Sequence, residues 1–544
     1  DGVVRNTAVG FETMMTGIDH AAQDNVALGF RALKVLTTGD ENVALGSKAG
    51  IALQDGVKNT YVGKSAGASA TSASANTLLG REAGTGLTGG VGNIAIGASD
   101  GTTVAPLANA SAIDYNIGIG TGALSYAREN EQMNVAIGYK AMFAMDEGSS
   151  AHVDHNIAIG AEALLGADHG SNSENVQYCV AIGAYALDAT DTNDQLGTVA
   201  IGGSALTALT SGLQNTAIGY QSMKTLVGGG KNTSIGYNAG VLLAGAGDNT
   251  VLGSEALQAA DGAESRNVVL GKDAGFAIND DSSNDNVIIG DNALVGGVVA
   301  ISKNVVIGRV ANANSNTRAN TENVFIGYAS GNGSWAGASG KNVAVGMNTF
   351  QGAANGADYN VAIGHSAMKA QVSGDSNIAI GRDALDASTD GDDNIAIGQN
   401  ALGNFNADGS NNIAIGQGAG DNFGTNTLQN TVLIGKNAGG TINSSAGNNT
   451  VAIGNGALSA QTNGGANTAL GYNAGDTIAS GYYNTIVGYQ SDVASSGDNF
   501  NTLIGDDITG QGSYSTQIGA YGIKKWKTAR VTLNDVEEGT PGDG

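Results

Sequence analysis

NNIAIGQGAG, residues 411–420, has the appearance of a phosphate-binding glycine loop. Near-copies of it recur along almost the whole chain, and that recurrence decides the fold. The pattern is Asn, a variable residue, a small or apolar residue, an apolar residue and Gly. It reads NTAVG from Asn6 to Gly10, NIAIG from Asn93 to Gly97 and NTAIG from Asn215 to Gly219. It returns as NIAIG from Asn412 to Gly416 and NTLIG from Asn501 to Gly505. The closing glycine occurs 29 times between Gly10 and Gly519; the commonest step is 17 residues, most others are 18 or 19, and the longest is 23. Asn opens 24 of the copies, and Cys179, Thr198, Thr431, Thr450 and Ser515 open the rest. A glycine loop that cradles phosphate needs a long strand before it and a helix after it. Seventeen residues leave no room for that helix, so the repeats read as scaffold.

Three residues after the glycine a small side chain is usual, as at Ala141, Ala163, Ser222 and Ala384, often followed by Leu, Met or Gly. A variable stretch rich in Gly, Asp, Asn, Ser and Thr completes the unit. One unit is expected to be a short strand, a glycine bend, a second short strand and a polar loop. Alternation puts Ala95 on the face of Asn93, and Ile94 and Ile96 on the other. The β-branched face is expected to pack inward, with the slim Ala face meeting another layer. So small a unit cannot fold alone. Stacked units pair their strands in parallel, share a continuous core and line up their Asn side chains as a ladder. At one strand spacing per coil, the series would form a rod on the order of 140 Å long.

Composition agrees with a thin core: 87 of 544 residues are Gly, 41% are hydrophobic and only 5% are aromatic. Narrow coils without bulky side chains invite several chains to share one interior, which predicts an oligomer. The net charge of -25 disfavours nucleic acid, which needs a basic footprint, and anionic membranes. No apolar run is long enough to span a bilayer, so no membrane insertion is expected. The single Cys179 cannot form an intrachain disulfide.

The NVAIG, NTAIGY and NIAIG segments, with their small residue three places after glycine, resemble the head repeats of trimeric autotransporter adhesins. They resemble equally the repeats of bacteriophage tail fibre proteins. The resemblance covers residues 6–519. It implies an all-β, elongated, left-handed parallel β-roll or β-solenoid assembled as an interlocked homotrimer. Adhesin repeats are typically shorter, and here only the step from Gly505 to Gly519 spans 14 residues. The 17-residue units NTAIGYQS and NTSIGYNAG are more similar to phage fibres.

The expected organisation is a shaft over residues 1–519 and a C-terminal cap or neck over 520–544. The expected function is a non-enzymatic tail fibre of a virion, working outside the cell, without cofactor or metal. Its partners would be two further copies, other virion fibre or baseplate proteins, and a host surface glycan or protein receptor. One alternative is a trimeric adhesin head on a bacterial cell surface. Another is a polysaccharide-degrading phage spike, which would need paired carboxylates across a groove.

Residues 98–198 carry the longest loops, which are expected to project from the shaft. His152, Asp154, His155 and His169 offer metal-ligand chemistry, although exposed loop histidines are ordinary. DASTDGDDN from Asp386 and INDDSSNDN from Ile278 are acidic, without calcium-loop spacing. Tyr139, Tyr220, Tyr237, Tyr328, Tyr472 and Tyr489 each follow a repeat glycine and suit either packing or sugar stacking. The receptor-contact candidates are Trp335, in a glycine-rich loop, and Trp526 with Lys524, Lys525 and Lys527 in the basic terminal segment.

Overall fold

A computed structural model describes residues 5–15, 22–127, 131–144, 152–166, 175–190, 194–296, 300–314, 320–333, 337–352, 355–405, 409–422, 427–442 and 447–519. The chain divides into two compact units, residues 1–359 and 360–544. Each is a parallel β-solenoid. Every repeat contributes one three-residue strand directly after its first position, from Thr7–Val9 to Val343–Val345 in the first unit and from Val361–Ile363 to Thr516–Ile518 in the second. Neighbouring coils pair in strict register, so that Val26, Ala27 and Leu28 lie against Val43, Ala44 and Leu45. Ile395, Ala396 and Ile397 lie likewise against Ile413, Ala414 and Ile415.

Two expectations are corrected. The segment after the glycine is not a second strand. Its alternate residues take left-handed backbone angles, such as φ 59° at Arg31 and 46° at Leu33, which a strand cannot hold. Their amides still bond between coils: Arg31 N–H donates to Phe11 C=O and Leu33 N–H to Ala49 C=O. Among the described residues, extra two-residue strands occur in six coils, just before the opening position. They are Val153–Asp154, Val176–Gln177 and Gln195–Leu196, and Ile301–Ser302, Asn320–Thr321 and Ser339–Gly340.

The second correction inverts the faces. Asn93 and Ala95 are fully buried, Ile94 is half-buried and Ile96 is 38% exposed. The Asn/Ala face therefore points into the coil and the β-branched face points out. The reason is space. The far wall of each narrow coil already sends in large side chains, such as Leu33, Leu36 and Leu53, all fully buried. Where the inward strand residue is large, the far wall retreats to glycine. A Cβ on Gly50 would come 2.8 Å from the ring of Tyr61, and one on Gly331 2.7 Å from the ring of Phe325. The closing glycine is fixed for a different reason. At Gly416, φ is +137° and a Cβ would sit 2.5 Å from the carbonyl oxygen of Gly435.

Inside each unit the Asn side chains form a hydrogen-bonded file, in which Cys179, Thr198, Thr431, Thr450 and Ser515 stand in place of Asn. Asn93 donates its backbone N–H and its Nδ2 to Asn76 Oδ1, at 2.8 and 3.0 Å, and Nδ2 also reaches Ile113 C=O across the coil at 2.6 Å. Asn6 and Asn215 take such positions in the first unit, and Asn412 and Asn501 in the second. Burying these amides is tolerable because both ends are bonded. In regular coils the carbonyl acceptor lies 14 residues on: Gly229 for Asn215 and Gly481 for Asn467.

Thr450 breaks the file, and Gln461 repairs it from the far wall. Gln461 Nε2 donates to Thr450 Oγ1 at 3.2 Å and to Gly464 C=O at 2.5 Å, the carbonyl an Asn at 450 would have used. Gln461 Oε1 accepts from Asn467 Nδ2 at 3.2 Å. Gln371 sits at the same repeat position, seven residues after its glycine, but there Asn360 already bonds Gly374 C=O at 2.8 Å. Gln371 is fully buried, with neither amide atom bonded. Substituting Leu, the residue of Leu36 and Leu53 at that position, should thus act in opposite directions. Gln371→Leu should raise the stability of the second unit, and Gln461→Leu should lower it, each by about 1–3 kcal/mol. Thermal unfolding of the two variants checks this; shifts of the same sign would contradict the repair.

Candidate functional surface

Because Asn and Ala point in, each coil presents its first and third strand residues outward. In the second unit six successive coils display purely aliphatic pairs, from Val361 and Ile363 to Val451 and Ile453. Four more pair Thr with an aliphatic residue, from Thr468 and Leu470 to Thr516 and Ile518. In the first unit Leu28, Leu252 and Leu270 are among the exposed members of the same columns. Register pairing makes these residues continuous strips one strand wide. Single exposed aliphatic residues are ordinary on a protein surface, but these half-buried and exposed residues run on from coil to coil.

The flanking columns are largely self-satisfied. Tyr220 stacks on Tyr237 at 5.7 Å between ring centroids, and Tyr472 on Tyr489 at 5.3 Å. Tyr483, Phe500 and Tyr514 form a similar stack, each step 5.0 Å. These rings spend faces on one another, whereas sugar stacking would require free faces. The residue before Asn forms exposed ion pairs between coils, including Arg266 with Asp285 at 2.6 Å and Arg5 with Asp24 at 2.6 Å. Exposed pairs of this kind add little stability individually.

A further column was missed in the sequence. Two positions before Asn, a short polar side chain accepts a backbone N–H from the preceding coil. Asp40 takes Gln23 N–H at 2.6 Å, Ser74 takes Val57 N–H at 3.1 Å, and Asp392 takes Asp375 N–H at 2.8 Å. Asn284 in the other acidic stretch takes Ser265 N–H at 2.5 Å. The readable signal was the recurrence of Asp, Ser or Asn at that offset. The acidic loops are thus at least partly coil-to-coil fastenings.

The long loop DGTTVAPLANASAIDY, 100–115, does not simply project, because Leu107 and Ile113 are buried. In the next enlarged coil, His152 Nδ1 lies 3.6 Å from Asp154 Oδ2. Asp154 Oδ1 is held by Gln132 N–H at 2.9 Å, and His155 stacks on Tyr178. Among the described residues no three His, Cys, Asp or Glu side chains converge as a metal-binding group. His169, Trp335, Trp526, Lys524, Lys525 and Lys527 lie outside the described residues, as does the whole segment 520–544. Among the described residues no helix is long and apolar enough to cross a membrane. Burial pushes the Cys179 thiol up to about 11, away from a reactive thiolate. No family model matches the chain, and no curated protein matches it.

Burial raises the carboxyls of Asp386, Asp421 and Asp476 in the second unit, the first and last of them most. Burial, and then the nearby Asp383, push Asp386 up to about 6. Burial, and then Asp492, push Asp476 up to about 6. Folding therefore favours their acid forms. That stabilisation is complete below the ordinary carboxyl range near about 4 and is lost as pH rises through about 6. The second unit should melt at a higher temperature at pH 5 than at pH 8, and Asp386→Asn should flatten part of that slope. A melting temperature that climbs steadily across this range would contradict the assignment.

Proposed function

We propose that the chain is a non-enzymatic fibre protein that attaches its bearer to a host cell surface, as a phage tail fibre does. Copies assemble, as a homotrimer, through the outward aliphatic strips of their coils. The observation that carries this reading is the continuous β-branched face left uncovered by an interior of Asn and Ala. Water contact along such a strip costs free energy roughly in proportion to its apolar area, and another copy offers a strip of the same periodicity and spacing. A closed symmetric assembly would cover every strip while leaving corners and loops outside. Repetition around the axis would then multiply weak surface contacts into avidity. Immunogold labelling with an antibody to the chain distinguishes a particle tail, as proposed here, from a bacterial surface.

The assembly claim is tested by solution mass. The native chain should scatter light as about three times 53.9 kDa. Combining Ile395→Asp with Ile413→Asp places charges on two adjacent outward rungs. It should reduce the mass towards 53.9 kDa with the β-sheet circular dichroism retained, since neither side chain fills the coil. A native chain that is monomeric would overturn the shared-face assembly.

A further inference from the structure

The column of polar fastenings is interrupted at several coils, one of them at Gly340. One coil earlier the position is Thr321, and one coil later it is Asp358. Gly340 has no side chain to fill its rung, and Ser339 beside it turns inward, 3% exposed, where its Oγ accepts Gly356 N–H at 3.2 Å. The Thr321 carbonyl closes over Gly340 itself, where a Cβ would sit 2.7 Å from it. A groove of about 180 Å³ lies here, lined by Thr321, Ala338, Ser339, Gly340, Lys341 and Asp358. That is the volume of about six waters, enough for one sugar ring.

The groove mixes donors and acceptors. Asp358 is oriented by Gly340 N–H, which donates to its Oδ1 at 2.6 Å. Lys341 lies in the column of alternating charges, but its next neighbour there is Tyr359. Its Nζ donates to the Tyr359 hydroxyl at 2.6 Å and lies 4.6 Å from the centre of that ring. An ammonium has three donors, so this bond leaves donors for a ligand. The Thr321 hydroxyl makes no side-chain hydrogen bond among the described residues. A fixed carboxylate, an ammonium and a hydroxyl around one ring-sized space match a pair of neighbouring sugar hydroxyls, which both donate and accept. An anion fits less well, because Asp358 faces the same space and the chain carries a net charge of -25.

We infer that this groove is a binding subsite for one neutral hexose unit of a surface glycan. The inference rests on the attachment reading above, and single-site affinity is weak, with avidity supplied by repeated copies.

The test is saturation-transfer NMR on the full chain with methyl glycosides of glucose, galactose, mannose and N-acetylglucosamine. At least one should receive saturation. Thr321→Val combined with Lys341→Met should weaken its binding about tenfold or more, the effect of losing a charged hydrogen bond. Lys303→Met, at the same repeat position two coils earlier, should leave binding unchanged. The groove assignment fails if no glycoside binds, or if the double variant binds as the native chain does. Cell binding measured in parallel separates the two claims. Cell binding without glycoside binding rejects the groove and leaves attachment standing. Glycoside binding that is lost in the double variant, without cell binding, supports the groove and rejects attachment.

Discussion

The file of buried Asn side chains is the constraint on which the rest of the structure depends. Each carboxamide must reach the Asn of one neighbouring coil and a carbonyl across its own coil, as Asn93 does with Asn76 and Ile113. Both partners lie inside. Once Asn is fixed inward, strand alternation leaves no freedom. The residue two places on must also point in, small unless the far wall gives way as it does for Tyr61 and Phe325, while the residues between and after must point out. The closing glycine follows, because the chain turns there at positive φ with the next coil's carbonyl against its Cα. A buried amide is costly unless bonded, so the file also fixes the register between coils.

The interior is therefore polar along one line and close-packed around it, with bulk exchanged between walls. Tyr61 is admitted by Gly50 and Gly67, and Phe325 by Gly331. Gln461 lends its amide where Thr450 lacks one. These exchanges cross the coil, so they link positions six or eleven residues apart in the chain. The outside inherits what the inside cannot hold. Aliphatic residues that would serve as core in a wider solenoid form a surface strip instead.

The repeat, its parallel stacking and the Asn file were legible because each rests on spacing alone. The orientation of the faces was not. Alternation in NIAIG separates Ile94 and Ile96 from Asn93 and Ala95 but is silent on which set meets the interior. Hydrophobicity pointed the wrong way, because an Asn file can outrank Ile for a narrow lumen. The second strand was misjudged for a related reason: left-handed angles at ordinary residues such as Arg31 and Leu33 leave no compositional mark. The polar column holding Asp40, Ser74 and Asp392 was visible as composition but was read as solvated loop, since its backbone partners lie one coil away. The groove beside Gly340 escaped notice because its lining comes from three successive coils, at Thr321, Gly340 and Asp358.

The most direct measurement is solid-state NMR of the protein labelled with nitrogen-15 at Asn, following side-chain carboxamides after transfer to deuterated water. Carboxamides of the file, such as those of Asn25, Asn93, Asn215 and Asn412, should keep their proton-coupled signals long after those of the exposed Asn404 and Asn422 have gone. Uniformly fast exchange of all Asn carboxamides would contradict a buried file, and with it the inward placement of Asn that sets every other face.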